Sequence, residues 1–396
     1  MRRKKLLLAI LISAFATIFG PTEFDFLTTE LAASPQSNNR WGSKVTKKTE
    51  TKKSTGKKKR TSKRRGRGAL ITTVYSDPTT GEWIHRGKRK IVIHRDTADR
   101  LRAMTPFSGN PNASRQYAEI INSYAEKLGP HGVSVYSLIA PSQGEFYMPQ
   151  RISDNKSQKE AVTVWNTFLD TIVTPINVFD TLAAHVDEEI YLRTDHHWAP
   201  LGAYYAAAKT ARQLGDTIFF PLQNCTPDTV KNFVGTMFNF SGDTKIKQYP
   251  EDFIYFIPSG VIDGEFIDYT LKSNQVAYRE TAPHKAPLFR KFHDGSRSAY
   301  STFLGGDNHT VKTVNPSAPS PKKVLLVKDS YGNALVPYLA QSFAEVHAID
   351  FRHFPHSLTD YVINNSITDL IFVNSIELAF APITTSRLRE LFKSKK

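Results

Sequence analysis

The sequence predicts an α/β fold in which a mainly parallel sheet is flanked by helices. Two observations support this: short apolar segments alternate with helical periodicity after residue 110, and the last third of the chain repeats the alternation. This arrangement is typical of parallel sheets covered by helices. The predicted helices cover 114–128, 157–172, 200–214, 333–343 and 358–364. The predicted strands cover 133–139, 176–179, 189–192, 324–327, 346–349 and 369–373.

The alternation does not extend over the whole chain. A hairpin is predicted at 69–75 and 82–84 because turn-forming residues separate two β-prone segments, and it leads to a strand at 90–94. Residues 215–322 lack long helical periods, which favours an irregular insertion or lid. The sequence therefore predicts one folded domain over 69–396 that contains this insertion.

The N-terminus has the pattern of an export signal. Four cations precede an apolar stretch at 6–20, so residues 1–35 are predicted to be a signal peptide or, slightly favoured, an uncleaved signal anchor. A buried helix is the less favoured alternative. An exported protein, periplasmic or at the cell surface and tethered to the inner membrane by residues 6–20, is expected. Residues 36–68 are basic and nearly free of aliphatic side chains, which predicts a disordered linker.

The net charge of +15 does not predict nucleic-acid binding by the folded part. Residues 1–70 hold 18 Lys and Arg against 4 Asp and Glu, whereas residues 71–396 hold 34 against 33. A basic surface for nucleic acid on the domain is thus not supported, and no nucleic-acid partner is expected. The only cysteine, Cys225, excludes an intramolecular disulfide.

Two segments supply the groups of a nucleophilic serine site. Asp195 and His197 lie two residues apart before a predicted helix, and in an extended segment they project to the same side, with His196 facing away. Ser330 lies between an apolar strand and a helix, at the sheet edge where α/β folds bind ligands. A positioned imidazole activates a serine hydroxyl, and a carboxylate orients the imidazole. We therefore predict Ser330 as nucleophile, His197 as base and Asp195 as its orienting carboxylate.

Each of these features also has a structural interpretation. Ser330 or Asp329 is equally expected as a helix cap, and an isolated Asp-x-His pair is often structural. Asp195 with His197, together with the Asp307-Asn308-His309 repeat of the same spacing, also suits a divalent metal. That alternative leaves Ser330 unexplained, so no metal or cofactor is predicted.

The chain resembles the DHHW proteins, SGNH-hydrolase-like relatives of the periplasmic alginate O-acetylation proteins, over about residues 69–385. The residues that carry the resemblance are Tyr191–Trp198 with Gly202–Tyr205, Phe303–His309, Lys328–Pro337, Asp350–Arg352, Pro141-Ser142, Glu145–Tyr147 and Phe233–Thr236. The resemblance implies an SGNH-hydrolase-like fold with Ser330, His197 and Asp195 as catalytic residues. The Asp/His pair precedes the serine, which is a permuted motif order for SGNH enzymes, so the oxyanion donors are not assigned by order.

The same resemblance implies an O-acetyltransferase or acetylesterase that acts on a cell-envelope or exported polysaccharide through an acyl-serine. Arg352 resembles a ligand contact of the family, and Asn333, Asn308 and Trp198 are weaker candidates for substrate binding or the oxyanion hole. A transferase needs an acetyl donor outside the cytoplasm, and the family suggests a membrane-bound O-acyltransferase as that partner. A non-catalytic glycan-binding or assembly component and a metal-dependent hydrolase are the alternatives.

Overall fold

The computed structural model describes residues 73–76, 83–86, 90–95, 100–150, 152, 154–272 and 277–393. The predicted signal or anchor at 1–35 and the predicted linker at 36–68 lie outside these residues and stay predictions. Within the described ranges, no helix has both the length and the apolarity needed to span a bilayer.

The described strands form a small antiparallel sheet, a two-stranded ribbon and a large mixed sheet. The strands are β1 (Thr73–Ser76), β2 (Trp83–Arg86), β3 (Lys90–Arg95), β4 (Leu101–Met104), β5 (Ser134–Ala140), β6 (Val173–Pro175), β7 (Cys225–Phe233), β8 (Glu251–Pro258), β9 (Asp263–Leu271), β10 (Ala277–Glu280), β11 (His284–Pro287), β12 (His309–Val314), β13 (Ser320–Lys328), β14 (Phe343–Asp350) and β15 (Asp369–Ser375). The predicted hairpin near the start of the domain corresponds to β1 and β2, and β3 and β4 continue the small sheet.

The large sheet contains a parallel half in the order β14-β13-β15-β5-β6. Its central strands are buried on both faces, and Val324–Val327 of β13 are fully inaccessible to solvent. Runs of apolar, β-branched residues are typical of such strands. The predicted mainly parallel α/β fold is therefore confirmed. Strand β13 lies between β14 and β15, near the centre of the sheet.

Helices cover both faces of this sheet. They are α1 (Pro111–Leu128), α2 (Gly144–Tyr147), α3 (Gln158–Asn166), α4 (Phe179–Ala183), α5 (Pro200–Gln213), α6 (Met237–Ser241), α7 (Ser330–Asn333), α8 (Val336–Leu339), α9 (Leu358–Asn364), α10 (Ile376–Ala379) and α11 (Pro382–Phe392). Sequence signals explain their ends: Asn110 caps α1 by accepting a hydrogen bond from Ala113 N–H, and Pro111 occupies the first turn. Helix α1 packs in one of the two large hydrophobic core clusters, and α5 packs in the other large cluster.

The segment 215–322, predicted to be an irregular insertion, contains six strands. Strands β9 and β12 extend the large sheet with antiparallel pairing next to β14, and β10 and β11 pair with β9. Strands β7 and β8 form the separate ribbon. Much of the segment is thus part of the main sheet, which periodicity did not reveal because burial along its strands alternates irregularly.

Three local predictions differ from the structure. The helix predicted at 333–343 is divided into α7 and α8, and Phe343 already begins β14. Proline at 337 lacks an N–H and is found in the first turn of α8, where none is needed. The predicted strand 176–179 is replaced by β6 just before it and by α4. The predicted strand 189–192 is reduced to a single bridge between Tyr191 and Trp198.

Gly202 provides a test of the packing beneath the residues 190–199. A Cβ on Gly202 would lie 2.2 Å from the backbone oxygen of Ile190, which accepts a hydrogen bond from Ala199 N–H. We expect Gly202→Ala to lower the free energy of unfolding by about 3 kcal/mol, because backbone must move. Gly129→Ala, where the new Cβ has open space but Pro130 disfavours the helical conformation, is the control and should lower the free energy of unfolding by at most about 1 kcal/mol. Equal stability of the two variants in denaturant titrations would contradict this packing.

Burial of His347 predicts a loss of stability in mild acid. Its side chain on β14 is inaccessible, and burial lowers its pKa to about 4 despite the nearby Glu345. The unfolded chain therefore binds the proton first, so the stabilising contribution is complete above pH ~6.5 and declines as the pH falls towards 4, by about 3 kcal/mol. Urea titrations between pH 7.5 and 4.5 measure this, and His347→Asn should show a shallower slope. An identical slope in the variant would exclude His347 as its source.

Candidate functional site

A tight loop at the carboxyl edge of the sheet presents Asp195 and His197. The bridge between Tyr191 and Trp198 closes the loop, and Ala199 N–H donates to Ile190 O at 2.9 Å. Asp195 Oδ1 accepts a hydrogen bond from the backbone N–H of His197 at 3.1 Å, which is an Asx turn. A turn therefore brings the Asp195 and His197 side chains together. The extended segment that the sequence suggested, with both side chains on one side, is not formed.

Ser330 reaches this loop from the end of the central strand. It is the first residue of α7, directly after β13, and the Asp329 side chain accepts hydrogen bonds from Tyr331 N–H at 3.0 Å and Ser375 N–H at 2.6 Å. Asp329 is thus the helix cap, and it also ties β13 to the neighbouring strand β15. The cap leaves the Ser330 hydroxyl available for His197.

The three predicted residues form one hydrogen-bonded chain. His197 Nδ1 lies 2.6 Å from Asp195 Oδ1, and His197 Nε2 lies 2.8 Å from Ser330 Oγ. All three residues are more than nine-tenths buried. An imidazole held between a carboxylate and a hydroxyl is oriented to take the hydroxyl proton, so this geometry suits nucleophilic catalysis by serine.

Asp195 is saturated with hydrogen bonds. Besides the two donors of His197 on Oδ1, its Oδ2 accepts from the backbone N–H of Thr236 at 2.8 Å and from the Thr236 hydroxyl at 2.9 Å. The preceding Gly235 packs so closely that a Cβ there would lie 2.4 Å from Asp195 Cβ. Residues 235 and 236 therefore form a cradle that leaves the carboxylate one orientation.

The surroundings keep Asp195 ionised. Burial opposes its ionisation, but attraction to His197 and His196 and the hydrogen bonds from His197 and Thr236 outweigh burial and hold the pKa of Asp195 well below its usual range. A carboxylate that stays negative throughout the physiological range stabilises a positive charge on His197.

Two aromatic residues fix the position of the His197 ring. The Tyr300 ring stacks on it with a centroid distance of 3.7 Å and an interplanar angle of 5°. The Tyr300 hydroxyl accepts a hydrogen bond from Trp198 Nε1 at 3.2 Å. Trp198, predicted as a weak substrate-binding candidate, is fully buried and acts here through Tyr300.

His196 does not face away from the site as the sequence suggested. Its ring centroid lies 3.7 Å from that of His197, and its Nδ1 lies 2.6 Å from Thr236 Oγ1. Since that hydroxyl donates its single proton to Asp195, His196 Nδ1 is the donor in this contact. Thr236 therefore connects His196 to the carboxylate that His197 contacts directly.

The other predicted binding residues have separate contacts. Arg352 forms a bidentate pair with Asp350 at 2.9 and 2.7 Å, and its NH2 lies 3.1 Å from Asp307. Asn333, in the same short helix as Ser330, donates to Asp307 at 2.7 Å. Asn308 donates to Tyr269 O at 2.9 Å and so joins β12 to β9. Their proposed roles in substrate or oxyanion binding stay predictions.

The predicted metal alternative is only partly compatible with this geometry. Asp195, His196 and His197 offer atoms within 4.8 Å of one another. Both ring nitrogens of His197, however, already face Asp195 and Ser330. The second pair does not join them: Asp307 contacts Arg352, whereas His309 lies 3.7 Å from Asp268. The four residues of the two pairs thus do not form one binding site.

Sequence reasoning missed three residues that support the site. They are Thr236, Tyr300 and Gln143, whose Nε2 donates to Asp195 O at 3.0 Å and to Ala103 O at 2.8 Å. Thr236 and Tyr300 lie in the segment 215–322, where no periodic pattern indicated their position. The motif Phe233–Thr236, noted only for its family resemblance, was the available signal for Thr236.

The fold and the hydrogen-bonded chain define an α/β protein with a mainly parallel sheet and a Ser-His-Asp arrangement. Residues 98–349 match the family model described as DHHW protein, so the chain belongs to the DHHW family. A DHHW family protein from Eubacterium siraeum is 30% identical; the match covers 77% of this chain and 96% of that chain, with a TM-score of 0.67. The family resemblance predicted from the sequence is confirmed.

Two further solved structures match this chain. PatB1 of Bacillus cereus, solved with a sulfonyl adduct, is 19% identical, with 77% of this chain and 100% of that chain covered and a TM-score of 0.57. The O-acetyltransferase domain of Pseudomonas putida AlgJ is 13% identical, with 75% of this chain and 98% of that chain covered and a TM-score of 0.39. No curated protein sequence matches this chain.

The Thr236 hydroxyl offers a test of the cradle around Asp195. Thr236→Val keeps the side-chain shape and the backbone N–H but removes the hydroxyl bond to a buried carboxylate, so we expect a loss of about 2 kcal/mol in the free energy of unfolding. Thr236→Ser keeps the hydroxyl and should retain most of the stability. Urea titrations at pH 7 measure both variants. A valine variant as stable as the serine variant would show that the hydroxyl does not stabilise Asp195.

Proposed function

We propose that this protein is an O-acetyltransferase or acetylesterase that acts on a cell-envelope or exported polysaccharide through an acyl-serine. The observation that carries the proposal is the chain from Asp195 through His197 to Ser330, with distances of 2.6 and 2.8 Å. Membership of the DHHW family and the fold shared with PatB1 are consistent with it.

In the first half-reaction, His197 Nε2 takes the proton of Ser330 Oγ while Oγ attacks the carbonyl carbon of an acetyl ester. Asp195 stabilises the positive imidazolium, and backbone N–H groups near Ser330 hold the oxyanion. The C–O bond to the donor alcohol then breaks, and His197 returns the proton to that alcohol. Acetyl stays on Ser330.

In the second half-reaction, His197 takes a proton from the acceptor, whose oxygen attacks the carbonyl carbon of the acetyl-serine. The bond between that carbon and Ser330 Oγ then breaks, and His197 returns the proton to Oγ. A sugar hydroxyl as acceptor makes the protein a transferase, and water makes it an esterase. Orientation of the acceptor at the site decides between them. As a transferase, the protein receives acetyl outside the cytoplasm, with a membrane-bound O-acyltransferase as donor partner and residues 6–20 as the tether.

Replacement of Ser330 is the direct test of nucleophilic catalysis. The purified full-length chain should hydrolyse a chromogenic acetyl ester, and Ser330→Ala should lose activity by about 10³-fold or more, because no other group accepts the acetyl. An aryl sulfonyl fluoride, which reacts with activated serines, should add one label to the wild type and none to the variant. Protein mass and ester turnover measure both effects.

Three outcomes separate the alternatives. Activity that survives in Ser330→Ala excludes the acyl-serine mechanism. Loss of activity with a chelator, together with stoichiometric metal in the purified protein, favours the metal-dependent hydrolase. Absence of turnover and of label in the wild type, combined with measurable polysaccharide binding, favours the non-catalytic assembly component.

A further inference from the structure

A group of three cations and two aromatic rings lies around α6, the short helix that directly follows Thr236. We name it the cationic ridge and define it as Arg95, Phe238, Lys247, Tyr249 and Arg297. The Arg95 guanidinium lies 5.3 Å from the centre of the Tyr249 ring and donates to its hydroxyl at 2.6 Å. Lys247 Nζ and Arg297 Cζ lie 4.1 and 5.0 Å from the centre of the Phe238 ring.

The ridge has a fixed base and an open surface. Phe238 and Tyr249 are half-buried and pack against one small core cluster formed by β3, β4 and α6, whereas Lys247 and Arg297 are exposed. Arg297 also donates to Asn239 Oδ1. Neither cation forms an ion pair with a carboxylate among the residues that the structure describes. Contacts with a ring and an amide leave their positive charges uncompensated.

Two members of the ridge lie close in sequence to residues that hold the serine site. Phe238 follows Thr236 by two residues, so their Cα atoms lie within about 7 Å, and Arg297 precedes Tyr300 by three residues, within about 11 Å. Thr236 contacts Asp195, and Tyr300 stacks on His197. The ridge is therefore within the reach of one or two sugar units from the site.

We infer that the cationic ridge is an acceptor subsite for an anionic glycan, one whose charge is carried by carboxylates or phosphates. Guanidinium groups bind both anions with paired hydrogen bonds, and an ammonium group binds them as a point charge. This inference rests on the proposed function, because it assigns the chemistry of the acceptor.

Binding to full-length Ser330→Ala tests the inference without turnover. Calorimetry measures the affinity for two pairs of sugars. The first pair is hexagalacturonate and its neutral methyl ester, and the second pair is a phosphorylated mannose hexamer and its neutral counterpart. We expect the anionic sugars to bind at least about 10-fold more tightly than their neutral forms, with the difference shrinking as salt rises. The better of the two anionic sugars identifies carboxylate or phosphate as the preferred group.

Charge reversal locates the site. Lys247→Glu with Arg297→Glu should weaken binding of the anionic sugar by about 10-fold or more and leave the neutral sugar within about twofold. Lys285→Glu with Arg279→Glu reverses two exposed cations on the edge strands β11 and β10 and is the matched control, with an expected affinity within about twofold of that of Ser330→Ala alone. Equal affinity for anionic and neutral sugars, or equal losses in the two charge variants, overturns the inference. Ser330 labelling is independent of these affinities, so a failed subsite remains distinguishable from a failed catalytic proposal.

Discussion

The carboxylate of Asp195 is the constraint on which the site depends. A buried carboxylate is costly unless it is fully hydrogen-bonded, and Asp195 meets this requirement with two donors from His197 and two from Thr236. Because each oxygen is held by a different segment, the carboxylate cannot rotate without losing bonds. Its fixed orientation defines the His197 ring and, through Nε2, the position of Ser330.

The fold brings these groups together from three distant parts of the chain. The central strand β13 carries Ser330 to the carboxyl edge of the sheet, and the Asp329 cap anchors that position to β15. The loop at 191–198 provides Asp195 and His197. The segment 215–322 provides Thr236 and Tyr300, so its strands serve the site as well as the sheet.

Local patterns were sufficient to predict the parallel half of the sheet and the three linked residues. Val324–Val327 is a continuous apolar run, as expected for a strand buried on both faces, and Ser330 follows this strand at the edge of the sheet where α/β folds bind ligands. The i, i+2 spacing selected the histidine that contacts both Asp195 and Ser330, but for a wrong reason, since an Asx turn and not an extended strand places His197 on Asp195. Thr236 and Tyr300 were not predicted because their contacts with residues 195–197 span 40 to about 100 positions, and no local pattern records such contacts.

The central claim is that Ser330 carries acetyl between two oxygen atoms. The most direct measurement is peptide mass spectrometry of the protein quenched in acid during turnover of an acetyl ester. The account predicts one acetyl group on the peptide that contains Ser330. This acetyl group should accumulate while the ester is turned over and should disappear when acceptor is added. Turnover without acetyl on that peptide, or acetyl that persists in Ser330→Ala, would contradict it.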